Sequence, residues 1–319
     1  MHAEFPTLSF LSIVLLLLIL PGQLKSHTIP AVSVICWLFV CNIIHGVNSI
    51  LWADSLDDHA PVWCDIASKI LLGAMVAIPG AFFCISRQLE LLTSRHEHVQ
   101  KHVQYKTLVE VVMCIVIPVV YMALHVIVQN HRFTIVEDLG CQAAIHRSLT
   151  GLVLVWLPPL VISLLALLYN VSALINLARS RYNSVAYFPS RPEMSFSLFA
   201  RRLAYATIGM LYTATVYVIV TSWSSTDMEP WTSVSKVHAN FSQVETVLRG
   251  TAIATGSELL WWTIPIWSLL LCALTAFGEE TRKGYRTILS WISSRTGKNI
   301  LPTQYAFMVY LPGRPCSRF

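Results

Sequence analysis

Seven stretches of about 20 residues run with almost no interior charge, near residues 5–22, 30–53, 63–86, 107–129, 148–177, 203–223 and 249–276. A helix of that length matches the hydrocarbon thickness of a bilayer, and apolar residues segregated into such blocks mark an integral membrane protein. The charge content agrees. Only 12% of the 319 residues are charged, against about 25% in soluble chains, and the mean hydropathy is +0.60. The leader MHAEF has no Lys or Arg, and no small-residue cleavage site follows ILPGQLKSH, so the first block reads as a span and not as a signal peptide. No repeat or low-complexity tract stands out. The expected fold is an all-α membrane protein, a seven-transmembrane helix bundle over residues 1–276, with 277–319 as a short tail. Pro79, Pro118, Pro158, Pro159 and Pro265 fall inside spans, where they predict kinks, because neighbouring helices and Ser/Thr side chains can satisfy the freed carbonyls.

Placing the N-terminus outside puts 17 of the 22 Lys and Arg residues on the cytosolic side, which the positive-inside rule favours. The outer side then carries a net charge of −5 and the inner side +11, with Glu258 alone inside a span. A basic inner face suits anionic lipid. The third span opens PVWCDIASKI, and its Asp65 and Lys69, spaced (i, i+4), can neutralise each other at the membrane mouth. Of eight cysteines, only Cys64 and Cys141 face the oxidising exterior; a bridge between them would tie the loop after the fourth span over the bundle.

The run WCDI with PGAFFCISRQL downstream, then IPVVYMALHVIVQNHRFTIVEDLGC, the WLPP span and the basic FARRL entering the sixth span resemble the fungal mating pheromone receptors of the a-factor, or lipopeptide, type, which are class D G protein-coupled receptors. The similarity runs from LPGQLK to FGEETRKGY, and the order of these strings within seven spans makes the combination specific. Residues 277–319 are a short tail for a family that often has a long cytosolic extension. The resemblance implies a plasma-membrane receptor for a short peptide whose C-terminal cysteine is farnesylated and carboxyl-methylated, activating a heterotrimeric G protein through its α subunit. It implies no enzyme, cofactor or metal, and no nucleic-acid partner. In such receptors the third cytosolic loop and its flanking helix ends contact the G protein, which here singles out Arg179, Arg181, Arg191, Arg201 and Arg202.

Polar groups inside spans are costly without partners and so point to ligand or to each other. His45, Asn48, His125 and Glu258 are the candidates, with Asp65 and Lys69 at the mouth and Lys69 a possible partner for Glu258. For the histidines an interhelical hydrogen bond is the simpler reading. Trp52, Trp63, Trp261 and Trp262 lie on the outer halves of their spans; interfacial anchoring is their ordinary role, and lining an apolar slot for an isoprenoid is the alternative. The segment 279–292 places Tyr285, Ile288, Leu289 and Ile292 on one helical face, which suits a helix along the inner membrane surface. A multi-span transporter or channel is the competing reading. It lacks an internal repeat and a proton relay. The seventh span has no lysine for retinal, the histidines of RHEHVQKH lie in a hydrophilic loop, and the terminal CSRF carries Arg318 where prenylation boxes are aliphatic.

Asn240 begins the sequon NFS in the loop before the seventh span, whereas Asn170-Val-Ser lies within a span. Protein from a glycosylating host should therefore shift in mobility on glycosidase treatment, and Asn240→Gln should abolish the shift. A sugar on any loop assigned to the cytosol would overturn the orientation.

Overall fold

The computed structural model describes residues 3–25, 28–94, 105–180, 196–225 and 228–275. The histidine cluster at 96–102, Arg181, Arg191 and the tail segment 279–292 lie outside them. Seven helices long and apolar enough to cross a membrane occur among the described residues. They are α1 (Glu4–Lys25), α2 (Ile29–Leu51), α3 (Pro61–Thr93), α4 (Lys106–Val128), α5 (Leu149–Gly151 continued through Ser180), α6 (Phe196–Ser224) and α7 (Ala252–Thr275). The longest, α3, is central: it packs against α2, α4, α5 and α6, while α1 leans on α2 and α7. Leu11, Leu17, Val119, Val120, Leu168, Leu211 and Val218 are exposed around the bundle, as side chains facing hydrocarbon should be.

The prolines are accommodated in two ways. Helices α3 and α7 continue through Pro79 and Pro265. Ahead of Pro118 and of Pro158–Pro159 the chain widens into π turns, Val112–Val116 and Leu152–Trp156, closed by Ile117 N–H to the Val112 carbonyl and Leu157 N–H to the Leu152 carbonyl. A π turn adds one residue to the ring, so the proline ring avoids the carbonyl it would otherwise strike. Each proline also leaves a carbonyl four residues earlier without its α-helical donor. For Pro159 that carbonyl belongs to Val155, and Tyr121 Oη of α4 donates to it at 2.7 Å. For Pro79 it belongs to Met75, and Tyr217 Oη of α6 donates to it at 3.0 Å. Tyrosines of neighbouring helices, rather than Ser or Thr, supply these two donors.

One end of the bundle carries a roof absent from the sequence reading: a three-stranded sheet in the order β2-β1-β3. Strands β1 (Phe133–Val136) and β2 (Gly140–Gln142) form an antiparallel hairpin, and β3 (Val244–Val247), from the α6–α7 connection, runs parallel to β1. The hairpin turn uses left-handed backbone at Asp138 and Gly140. At Gly140, φ is +72°, and a Cβ would stand 2.7 Å from Asn48 and 2.9 Å from Trp52, so only glycine fits. A disulfide joins Cys64, in the first turn of α3, to Cys141 of β2, within a buried cluster of Trp52, Phe133 and Ile135.

The tyrosine bridges generate a test. Removing the hydroxyl in Tyr217→Phe strands the Met75 carbonyl and should cost about 1 kcal/mol of stability. Pro79→Ala returns a backbone donor to that carbonyl, so in the double variant the tyrosine loss should cost markedly less. Thermal unfolding of the four proteins in nanodiscs measures this coupling; strict additivity would remove the assigned role of Tyr217.

Candidate functional site

Beneath the roof lies a cavity of about 580 Å³. Leu71, Leu72, Met75 and Ile78 of α3, Trp156 of α5, Tyr217 and Val220 of α6, and Leu260, Trp261, Ile264 and Trp267 of α7 form apolar walls. Trp267 is also packed beneath it, stacked on Phe82 at 4.3 Å and edge-on to Tyr205 at 5.2 Å, with Nε1 donating to Thr213 Oγ1 at 3.1 Å. The upper lining is polar: Asn130, His131, Thr134, Gln142, His146, Arg147, Glu229 and Glu245. Two His–Glu pairs span the two connections that make the roof. His131 Nε2 is 3.3 Å from Glu245, and His146 Nε2 is 3.4 Å from Glu229. Burial lowers the His131 imidazole below its ordinary range, with the Glu245 carboxylate pulling the other way.

Of the sequence-derived candidates, Trp261 of α7 and His45 of α2 line this cavity. These two rings stack at 5.1 Å, and Phe5 meets Trp261 edge-on at 4.7 Å. Among the described residues, Trp261 Nε1 and His45 Nδ1 are buried without a hydrogen-bond partner, which leaves two polar groups on the wall for a ligand to engage. Trp52 and Trp261 are 0% and 1% exposed, so interfacial anchoring does not describe them; the interior of the protein does. Trp262 packs tilted against Phe5 at 6.1 Å.

The remaining candidates hold the roof to the helices. Trp63 Nε1 donates to Asn48 Oδ1 at 2.8 Å, and Trp52 Nε1 to the Asp57 carbonyl at 2.9 Å. The Asp65 carboxylate attracts the Lys69 charge, as the (i, i+4) spacing suggested, but its hydrogen bonds go elsewhere. It accepts a two-pronged bond from Arg132, Nε to Oδ1 at 3.0 Å and Nη2 to Oδ2 at 2.6 Å, a geometry in which the planar guanidinium outcompetes a flexible ammonium. Lys69 instead reaches His125 Nδ1 and Gln129 Oε1, each at 2.7 Å. An ammonium only donates, so His125 Nδ1 accepts, and Nε2–H then donates to the Ala144 carbonyl at 2.9 Å. Glu258 pairs not with Lys69 but with Arg249, at 3.4 Å, and sits in the second turn of α7 rather than deep within it. Arg249 also reaches Asp138 at 3.2 Å, and Asp138 Oδ1 accepts the Asp54 N–H at 3.1 Å. One network thus gathers the α2–α3 turn, the hairpin and the start of α7.

At the opposite end, Arg179 is exposed near the end of α5, and Arg201 and Arg202 stand in the second turn of α6 beside a small cleft that includes Gln23, Tyr205 and Thr275. Sequence reasoning missed the structural parts played by Arg132, Gln129 and Arg249 and the cavity positions of Trp267, Glu229 and Glu245. The β-branched runs FTIV and VETV were the available signal for the roof.

The chain matches the family described as STE3, pheromone A receptor, over residues 4–295. It is 32% identical over 302 residues to the pheromone B beta 1 receptor of Schizophyllum commune, covering 92% of this chain and 56% of that one. The pheromone B alpha 3 receptor of the same species (strain H4-8 / FGSC 9210) is 30% identical over 302 residues, 92% of this chain and 48% of that receptor. Pheromone receptor 1 of Mycosarcoma maydis is 25% identical over 291 residues, 88% of this chain and 82% of that receptor. The chain spans about half the length of the Schizophyllum receptors it matches. With a family match across nearly all of its length, seven apolar helices and a roofed cavity between them, this multi-pass membrane protein belongs to the STE3 pheromone A receptor family.

Proposed function

We propose that this chain is the receptor for a prenylated peptide pheromone, with the roof facing outward, and that it activates a heterotrimeric G protein at the opposite end through Arg179, Arg201 and Arg202 and the connection between them. The observation that carries this reading is the division of the cavity: aromatic and aliphatic walls below, charged and hydrogen-bonding groups above. Such a space suits an amphiphile. Each buried CH₂ of a hydrocarbon chain contributes about 0.8 kcal/mol, so the isoprenoid supplies affinity while the peptide meets the roof. His45 and Trp261 are the wall groups best placed to touch it. The other candidates, Asn48, Trp52, Trp63, Asp65, Lys69, His125, Glu258 and Trp262, act by holding the roof and the helices around it. A transporter would move solute without any G protein, and the match to a receptor family gives that reading no support.

Expression in a fungal strain lacking its own receptor of this type, followed by dose-response curves, tests the assignment. A farnesylated agonist peptide should be more potent than its unmodified form by about 100-fold or more; equal potency would refute the lipopeptide reading and leave the seven-helix fold intact.

Electrostatics should act mainly on encounter. Glu229 and Glu245 line the cavity with 77% and 51% of their side chains exposed, whereas Asp57 and Asp58 stand off it. Neutralising Glu229 and Glu245 together should slow association of a cationic peptide several-fold at low salt, with the effect fading above a few hundred millimolar. The pair Asp57→Asn and Asp58→Asn should do less. An equal effect of the two pairs would mean that only the summed outer charge matters.

A further inference from the structure

The seam between α6 and α7 changes character along its length. Low in the seam the fit is tight: a Cβ on Gly209 would lie 2.0 Å from the Trp267 ring, so only glycine lets the indole lie there. Near the roof the fit relaxes to ordinary van der Waals contact, with room for a methyl group but not for a larger side chain. A Cβ on Gly256 would meet nothing nearer than the Trp223 ring at 3.8 Å and a Val220 methyl at 4.0 Å. Trp223 and Ile253, in the last turn of α6 and the first of α7, both line the cavity, yet each is 40% exposed. The same cavity reaches inward past Val220, Leu260 and Ile264 to Trp267, which is 2% exposed. Apolar side chains thus line the cavity from the outer end of the α6–α7 seam to its centre, with Ser224 and Ser257 beside them at the outer end.

We propose that the gap between the outer ends of α6 and α7 is a lateral portal through which the ligand's hydrocarbon chain passes from the outer leaflet into the cavity. The inference rests on the prenylated-peptide reading. A single isoprenoid binds membranes weakly and reversibly, which concentrates the ligand in the leaflet at the depth of Trp223 and Ile253. Access from above would drag the chain past Glu229, His146 and Arg147, whereas the lateral path keeps hydrocarbon against hydrocarbon. The peptide remains outside, under the carboxylates of the roof.

A portal is a kinetic device, and rates distinguish it from a binding wall. The probe is a fluorescent peptide ending in S-farnesylcysteine methyl ester, chosen as an agonist in the receptor-null strain, with receptor in nanodiscs. Gly256→Leu and Ile253→Trp narrow the gap by different routes, so one of them serves if the other fails to fold; Val218→Trp, on a lipid-facing position of α6 outside the cavity lining, is the control. Each narrowed variant should slow association and dissociation together, about tenfold, with Kd held within about threefold, and the control should bind like the parent. Unchanged rates, or a weaker Kd with faster dissociation, would overturn the portal. Failure of the parent receptor to distinguish farnesylated from unmodified peptide would instead overturn the ligand assignment, and is read in a separate measurement.

Discussion

A backbone carbonyl inside a bilayer must find a donor within the protein, because no water is there to supply one. The proline-rich helices of this protein turn that constraint into architecture. Tyr121 of α4 bonds the Val155 carbonyl of α5, and Tyr217 of α6 bonds the Met75 carbonyl of α3, each carbonyl having lost its helical partner to a proline. The irregular points of two helices are thereby the points at which other helices are attached. Met75, Tyr217 and Trp156 all line the cavity, so the same bonds that relieve the backbone fix its walls.

The roof obeys the opposite logic. It sits where water is available, and it is held by a disulfide, a guanidinium–carboxylate fork and a chain of side chains from Lys69 through His125 to the Ala144 carbonyl. These anchor the α4–α5 connection to α3. Asp138 and Arg249 anchor the same connection to the α2–α3 turn and to α7. Charged groups that a bilayer would penalise are used at the boundary, where a partially wet setting keeps their desolvation modest.

The helices were legible because their signal is local: about 20 apolar residues in a row need no knowledge of the rest of the chain. The roof was not. Its strands span three or four residues, too few for alternation to register, and β3 pairs in parallel with a strand more than 100 positions earlier, as Phe133 opposite Val244 illustrates. The hydrogen bonds of the charged groups were illegible for the same reason. Asp65 and Lys69 are adjacent on a helix face, but Arg132 and His125 reach them from another element and win by geometry and number of bonds. Trp261 was found because a tryptophan in the outer half of a span is conspicuous; Glu229 and Glu245 become part of the site only when two distant connections converge.

The split origin of the roof has a consequence for biosynthesis. Both cysteines and the β1–β2 hairpin lie within the first 142 residues, so the covalent tie and the antiparallel pair can form once four spans have been inserted. Strand β3 follows the sixth span, and until the ribosome has delivered it the edge of β1 facing it stays unpaired. Domains and subdomains form in the order of synthesis. The cavity is therefore closed last, and an arrested chain ending before residue 244 would present an open sheet edge, the feature quality-control systems can read as unfinished.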